Sequence, residues 1–121
     1  MTQQEWHSVI KVYCEAAGTY RPFFNEVIDT LAGILERRDE AVKQFEELGG
    51  QIVVEHVNNR GGGVNLEQNP ALRAINDMNR DALAYWRDLG LTPAGLKKID
   101  EKALKGQKKS GLAEILKGIE G

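Results

Sequence analysis

With 121 residues and a formal charge of −2, from 16 Lys and Arg against 18 Asp and Glu, the chain is sized for one domain with a modest core, and its slight acidity excludes holding nucleic acid by bulk charge. The single Cys14 excludes an internal disulfide and a thiolate zinc cluster and fits a reducing cytosol. No apolar run approaches the roughly 18 residues of a membrane span, the opening residues Met1 to Glu5 are too polar for a signal peptide, and no repeat of solenoid length occurs.

Thr2 to Tyr20 reads as an amphipathic helix. Trp6, Val9, Ile10, Tyr13, Ala16, Ala17 and Tyr20 share one face, with Trp6 and Tyr13 as its expected core anchors. Thr2, with Glu5 three residues on, forms a capping box. Gly18-Thr19 and Pro22 mark a break.

Pro22 to Leu48 is the longest periodic run. Phe24, Ile28, Leu31, Leu35, Val42 and Phe45 follow steps of four and three, with Arg38 the one misfit in the heptad seam. Such a helix is roughly 40 Å long at 1.5 Å per residue. A rod of that length is hard to bury inside one small chain. It wants cover from its own chain's helices alone or from a neighbouring copy as well, so those six residues are the expected oligomer interface. Arg38 either snorkels to water or pairs with a carboxylate on a neighbouring element. Glu36 to Glu40 reads as a solvated face, and Gly49-Gly50 stops the helix.

Residues from about 51 to 67 change character. Ile52-Val53-Val54 and Val57 are β-branched, Asn58 to Gly63 is turn chemistry, and Val64 and Leu66 resume alternation. This is a small β-hairpin or a mobile loop with some extended structure. A lone two-stranded hairpin is marginal, so an ordered one packs on a neighbour. Arg60, beside Gly61-Gly62-Gly63, is either a phosphate contact at an unobstructed backbone or a solvated tip. The stretch lacks the Gly-Lys-Ser/Thr ending of a P-loop. His56 with Asn58 and Asn59 resembles a histidine–asparagine nuclease motif only faintly, for want of a second histidine or a metal ligand at suitable spacing.

Asn69 is an N-cap and Pro70 a first helical residue. Leu72, Ile75, Met78, Ala82, Leu83, Trp86 and Leu89 then give a helix with one buried face. Asn79 falls either at a core-type seat or at the edge of the stripe. Arg73, Arg80 and Arg87 lie seven apart but are interleaved with Asp77, Asp81 and Asp88, which favours solvated ion pairing over DNA contact. Leu89-Gly90-Leu91 is a helix stop, and Thr92-Pro93 starts a short helix to Ile99. Residues 100–121 then read as a lysine-rich linker with Lys102, Lys105, Lys108 and Lys109, followed by a short apolar stripe, Leu112, Ile115, Leu116 and Ile119. That stripe is too short to stand alone and folds on docking, to its own domain or to a partner.

The expected architecture is therefore mainly α, with long antiparallel helices, a small β-hairpin at about 51–67, and assembly into a ring-like homo-oligomer. Residues 1–99 form the helical core and 100–121 the linker and docking helix. Charge is uneven along this plan. Residues 1–48 hold five Lys and Arg against nine acids, and residues 97–121 hold seven Lys against four acids. No nucleophile–base pair, metal set or cofactor motif appears, so no enzyme, metal or cofactor is expected.

Asn69-Pro70 opening a helix, followed about twenty residues later by Leu89-Gly90-Leu91-Thr92-Pro93 and a basic turn, resembles the small terminase subunit of tailed bacteriophages, most closely the P27-like family. The likeness runs from about Val9 to Ile99. Family members often follow this turn with a serine and arginines. Here Ala94-Gly95-Leu96-Lys97-Lys98 keeps the charge and loses the guanidinium, so no arginine-specific role carries over at that point. The resemblance implies a non-enzymatic packaging-initiation factor in the cytoplasm of the bacterial host. Such factors form homo-oligomeric rings, recognise the packaging site on double-stranded phage DNA, and present it to the large ATPase–nuclease subunit. On that reading Arg60, Lys97, Lys98, Lys102, Lys105, Lys108 and Lys109 are the candidate DNA contacts, and Leu112, Ile115, Leu116 and Ile119 the candidate dock for the large subunit. A helical oligomeric adaptor and a dimeric DNA-binding regulator remain as alternatives.

Overall fold

A computed structural model describes residues 1–57 and 61–102 of the chain. It contains α1 (Gln3–Ala17), a 3-10 turn (Pro22–Phe24), α2 (Asn25–Glu47), a hairpin of β1 (Val53–Val57) and β2 (Val64–Gln68), and α3 (Pro70–Asp88). A further helix, α4, covers residues 93–102 of the described chain. Among these no helix is long and apolar enough to cross a membrane.

The helix ends follow local chemistry. The Thr2 hydroxyl accepts from the Glu5 N–H at 3.1 Å and donates to the Glu5 carboxylate at 3.2 Å. The capping box thus closes through the hydroxyl, not through the Thr2 backbone N–H. The Glu36 carboxylate of α2 accepts from the Gln3 N–H, placing negative charge at the positive end of α1. The first helix ends three residues before Tyr20, its expected last residue, because Gly18 takes the left-handed conformation with φ 74°. Arg21, held extended by the proline that follows it, delays the regular part of α2 to Asn25. All three long helices close with the same pair of backbone bonds, donated by a turning glycine (Gly18, Gly49 or Gly90) to the carbonyl three residues back and by the residue after it to the carbonyl five back.

The central helix, α2, lies antiparallel to both neighbours. Gln3 meets Glu36 and Tyr20 meets Asn25 on the α1 side, while Arg38 meets Asn79 on the α3 side. Its apolar residues Ile28, Leu31, Ala32 and Leu35 are completely buried, packed with Ile10 and Cys14 of α1 and with Ala82 and Leu89 from α3 and its end. Of the six expected interface residues, Ile28, Leu31 and Leu35 keep no exposed surface in the single chain, where the chain's own helices cover them. Phe24 packs against the same core, and Val42 and Phe45 are half-buried. Tyr13 is also not the core anchor expected of it. It stays 52% exposed, tilted against Trp86 with ring centroids 6.4 Å apart.

Arg38 resolves into a bracket across all three helices. Its guanidinium donates to Asp39 at 2.9 Å and to Asn79 of α3 at 3.3 Å, and lies 5.7 Å from the Trp6 ring of α1. Trp6 Nε1 donates to the other Asp39 oxygen at 2.8 Å. Partial burial would raise the Asp39 pKa, but the Trp6 hydrogen bond and the Arg38 charge and hydrogen bonds outweigh it, so the carboxyl titrates below its ordinary range. Asn79 is exposed, at the edge of the α3 stripe.

The hairpin is antiparallel, with register Val53↔Gln68 through Val57↔Val64. Asn69 joins it to the bundle. The Asn69 backbone N–H donates to the Ile52 carbonyl at 2.8 Å and its side-chain amide donates to the Gln51 carbonyl at 2.9 Å. Its side-chain oxygen accepts from the Ala71 N–H at 3.0 Å, capping α3.

Candidate nucleic-acid interface

The best-defined concave basic site forms where α3 hands over to α4. Gly90 turns the chain with φ 74°, and the turn is sealed by Gly90 N–H to Arg87 O at 2.9 Å and Leu91 N–H to Trp86 O at 2.8 Å. A side chain at position 90 has no room: a Cβ would lie 2.6 Å from Ile99 Cδ1 and 2.9 Å from Thr19 Cγ2. The next helix starts at once. The Thr92 side chain accepts from the Gly95 N–H at 3.1 Å, and Pro93 occupies the first helical position.

Gly95 sets how α4 lies on α3. A Cβ there would overlap the Arg87 carbonyl oxygen, so only a bare backbone lets α4 cross the end of α3 this closely. Residues 95, 98, 99 and 102 fall on one face of a helix by their spacing of three and four. With Arg87, Asp88 and Ala94 they line a concavity of about 620 Å³. Three cations, Arg87, Lys98 and Lys102, thus face one carboxylate, Asp88. Arg87 lies in the last turn of α3, where helix-end carbonyls favour positive charge. Such a pocket suits an anion with several acceptor oxygens, above all a phosphate, and Arg87 adds the planar fork that a lysine lacks.

The other candidates separate. Lys97 borders a shallow apolar groove with Pro93, Leu96, Asp100 and Glu101, where two acids offset it. Arg80 is tied to Asp77 at 3.5 Å on an exposed face. Arg73 borders a depression with Glu67, Gln68 and Pro70 at the foot of the hairpin. The line of three arginines therefore divides, and only Arg87 meets the lysines. Arg87 is exposed, as a solvated row would have it, and lines this concavity as well. The clue lay in Gly95, a glycine inside the first turn of a helix, which marks close approach to another backbone. Arg60, Lys105, Lys108 and Lys109 lie outside the described residues, as do Leu112, Ile115, Leu116 and Ile119.

Among the described residues no three His, Cys, Asp or Glu side chains converge as metal ligands. His7 meets Asp29 at 3.5 Å, and His56 sits exposed on β1 opposite Asn65. Cys14 is buried, and desolvation pushes its thiol up, away from nucleophilic character.

Set against known protein families, residues 2–105 match a family model described as phage terminase, small subunit. No curated protein and no solved structure matches the chain.

Proposed function

From the premise that the chain belongs to the phage terminase small-subunit family, with its role in phage DNA packaging, we propose that it recognises the packaging site on double-stranded phage DNA and presents that DNA to the large subunit. Small subunits of this family are generally non-catalytic DNA-binding and regulatory proteins. The reading for this chain is a factor that positions DNA and leaves the chemistry to its partner. Within the family, the pairing of Asn69-Pro70 with Leu89-Gly90-Leu91-Thr92-Pro93 supports a place among the P27-like members.

One observation carries the DNA role: Arg87, Lys98 and Lys102 line one concavity beside the turn between α3 and α4. A phosphate seated there would meet three cations, and the helix gives Lys102 a place one turn beyond Lys98. Lys105, Lys108 and Lys109 continue the positive charge along the sequence. Arg60, between β1 and β2 in the sequence, is proposed as a separate contact, and Lys97 as a weaker one beside its acids. Because one such pocket neutralises few phosphates, tight binding requires several copies acting together, and we read the chain as a homo-oligomer on this ground. The stripe Leu112, Ile115, Leu116 and Ile119 is the proposed dock for the large subunit, in the cytoplasm of the host.

The test is binding of a labelled duplex followed by fluorescence anisotropy across a salt series. Wild-type affinity should fall steeply with salt. The variant Arg87→Ala/Lys98→Ala/Lys102→Ala should bind weakly with a shallower salt slope, by about one for each phosphate no longer neutralised. Equal affinity and equal slope for the two proteins would remove this site from the interface.

A further inference from the structure

The register of the hairpin gives it two unlike faces. Residues opposite each other on an antiparallel ladder share a face. Val53, Glu55, Val57, Val64, Leu66 and Gln68 therefore lie on one side, and Val54, His56, Asn65 and Glu67 on the other. The apolar side is bare along its whole length, and on the polar side His56, Asn65 and Glu67 are exposed as well. Val53, Val57, Val64 and Leu66 are 50%, 64%, 56% and 72% exposed, and the single partly covered strand residue, Val54, belongs to the polar side. Leu48 and Ile52, at 85% and 64% exposure, extend the apolar surface to the hairpin's foot.

A single chain in water would not leave such an apolar face open. A two-stranded ribbon is marginal alone, and a sheet normally turns its apolar face to the core. Here neither strand packs on a helix to an extent comparable with its partner strand. Nor is the ribbon loosely tethered, because Asn69 fixes its base through the Ile52 and Gln51 carbonyls. The outer edges of both strands also leave backbone donors and acceptors free of any further strand among the described residues. One charge, Glu55, lies on the apolar face, too little to hold it in water.

We propose that a second copy of this chain covers that face. The inference rests on the reading of the chain as a homo-oligomer and names the surface that holds it together. Two properties favour a copy over a different protein. The ribbon lacks the strands that a stable sheet requires, and another copy brings strands of the same length, twist and apolar face. The cover must also be permanent, since six large apolar side chains left half or more exposed at one end of a small chain are an aggregation hazard; a copy is the one partner present whenever the chain is. The hairpin thereby takes over the role that the buried residues of α2 cannot fill.

The experiment is native mass by light scattering on the full chain at micromolar concentration. Wild type should be a multiple of the chain mass. Val57→Lys/Leu66→Lys should fall to the monomer with its helical circular dichroism unchanged, whereas His56→Lys/Asn65→Lys, on the polar side, should keep the wild-type mass. A second measurement uses the buried Cys14, which leaves an introduced cysteine as the accessible thiol. Leu66→Cys should give disulfide-linked dimers under mild oxidation, and Asn65→Cys should not. If Val57→Lys/Leu66→Lys loses its helices, that cross-link decides the matter in either direction. A monomeric wild type overturns the proposal. So does an oligomer whose mass is indifferent to Val57→Lys/Leu66→Lys and whose Leu66→Cys form stays unlinked; the face then belongs to another protein, and the DNA reading, judged by anisotropy, still stands.

Discussion

Gly95 lies so close to the backbone of Arg87 that no side chain fits between them. The geometry of the basic pocket depends on this contact, because it fixes α4 across the end of α3 and so sets Lys98 and Lys102 beside Arg87. The packing of two backbones here decides where charge can be placed. Gly95→Ala should lower stability by about 1–3 kcal/mol, the usual cost of overpacking, as read by urea unfolding. The same variant should weaken duplex binding although it removes no charge. Unaltered stability would mean that α4 does not rest on α3 in this way.

Arg73, Arg80 and Arg87 share a helix and a spacing of seven but not an environment. Arg80 has a carboxylate at 3.5 Å on an exposed face, and such pairs contribute about 0–1 kcal/mol. Arg80→Ala should therefore leave both stability and DNA affinity almost unchanged. Arg87→Ala should weaken duplex binding and reduce the salt slope by about one. Anisotropy titrations of the two variants at matched salt separate them.

Leu31 is sealed inside the chain. Leu31→Ala should cost about 2–5 kcal/mol through the cavity left behind. The loss belongs to the fold of the single chain and not to a contact between copies. Urea unfolding should show the drop, and native mass at urea concentrations below the onset of unfolding should match wild type. Dissociation ahead of unfolding would return Leu31 to an interface.

Asp39 links acidity to stability. Its folded pKa lies below its ordinary value, so its contribution is present above the unfolded carboxyl pKa of about 3.9 and is lost as pH falls through the folded value. Trp6→Phe removes one of its hydrogen-bond donors. That change should cost about 1 kcal/mol near neutral pH and move the Asp39 titration, followed by NMR, upward toward the ordinary range. An unmoved titration would show that Arg38 and the Met1 ammonium govern the carboxyl without help from Trp6.

Most of the helical plan was legible because its punctuation is local. Asn69-Pro70, Thr92-Pro93 and the three stop glycines each act through bonds to residues close by in the chain, and each stands where the sequence places it. What the seam of α2 packs against was not legible. A heptad says that one side wants cover, and it does not say whether the cover comes from α1 and α3 or from another chain. Arg38 was a misfit for the same reason: its partners Asp39, Asn79 and Trp6 come from three helices. The hairpin announced itself by β-branched residues and glycines, but that its apolar face finds no cover within the chain depends on where the bundle leaves the ribbon, which local sequence does not say. Of the basic candidates, Lys98 and Lys102 could be paired by helical spacing, whereas Arg87 joined them only through a crossing that the sequence marks with one glycine.

Asn69 stands at a position where aspartate, serine or threonine would ordinarily serve a helix equally well. Here its carboxamide is used at both ends: the oxygen starts α3 and the nitrogen grips the Gln51 carbonyl. Each of those three substitutes would keep the oxygen, but none carries an amide nitrogen, and the ribbon would be left with the backbone bond to Ile52 alone. The choice among otherwise interchangeable caps is thereby narrowed to asparagine, and glutamine, which carries the same group one methylene further out, would fit neither end.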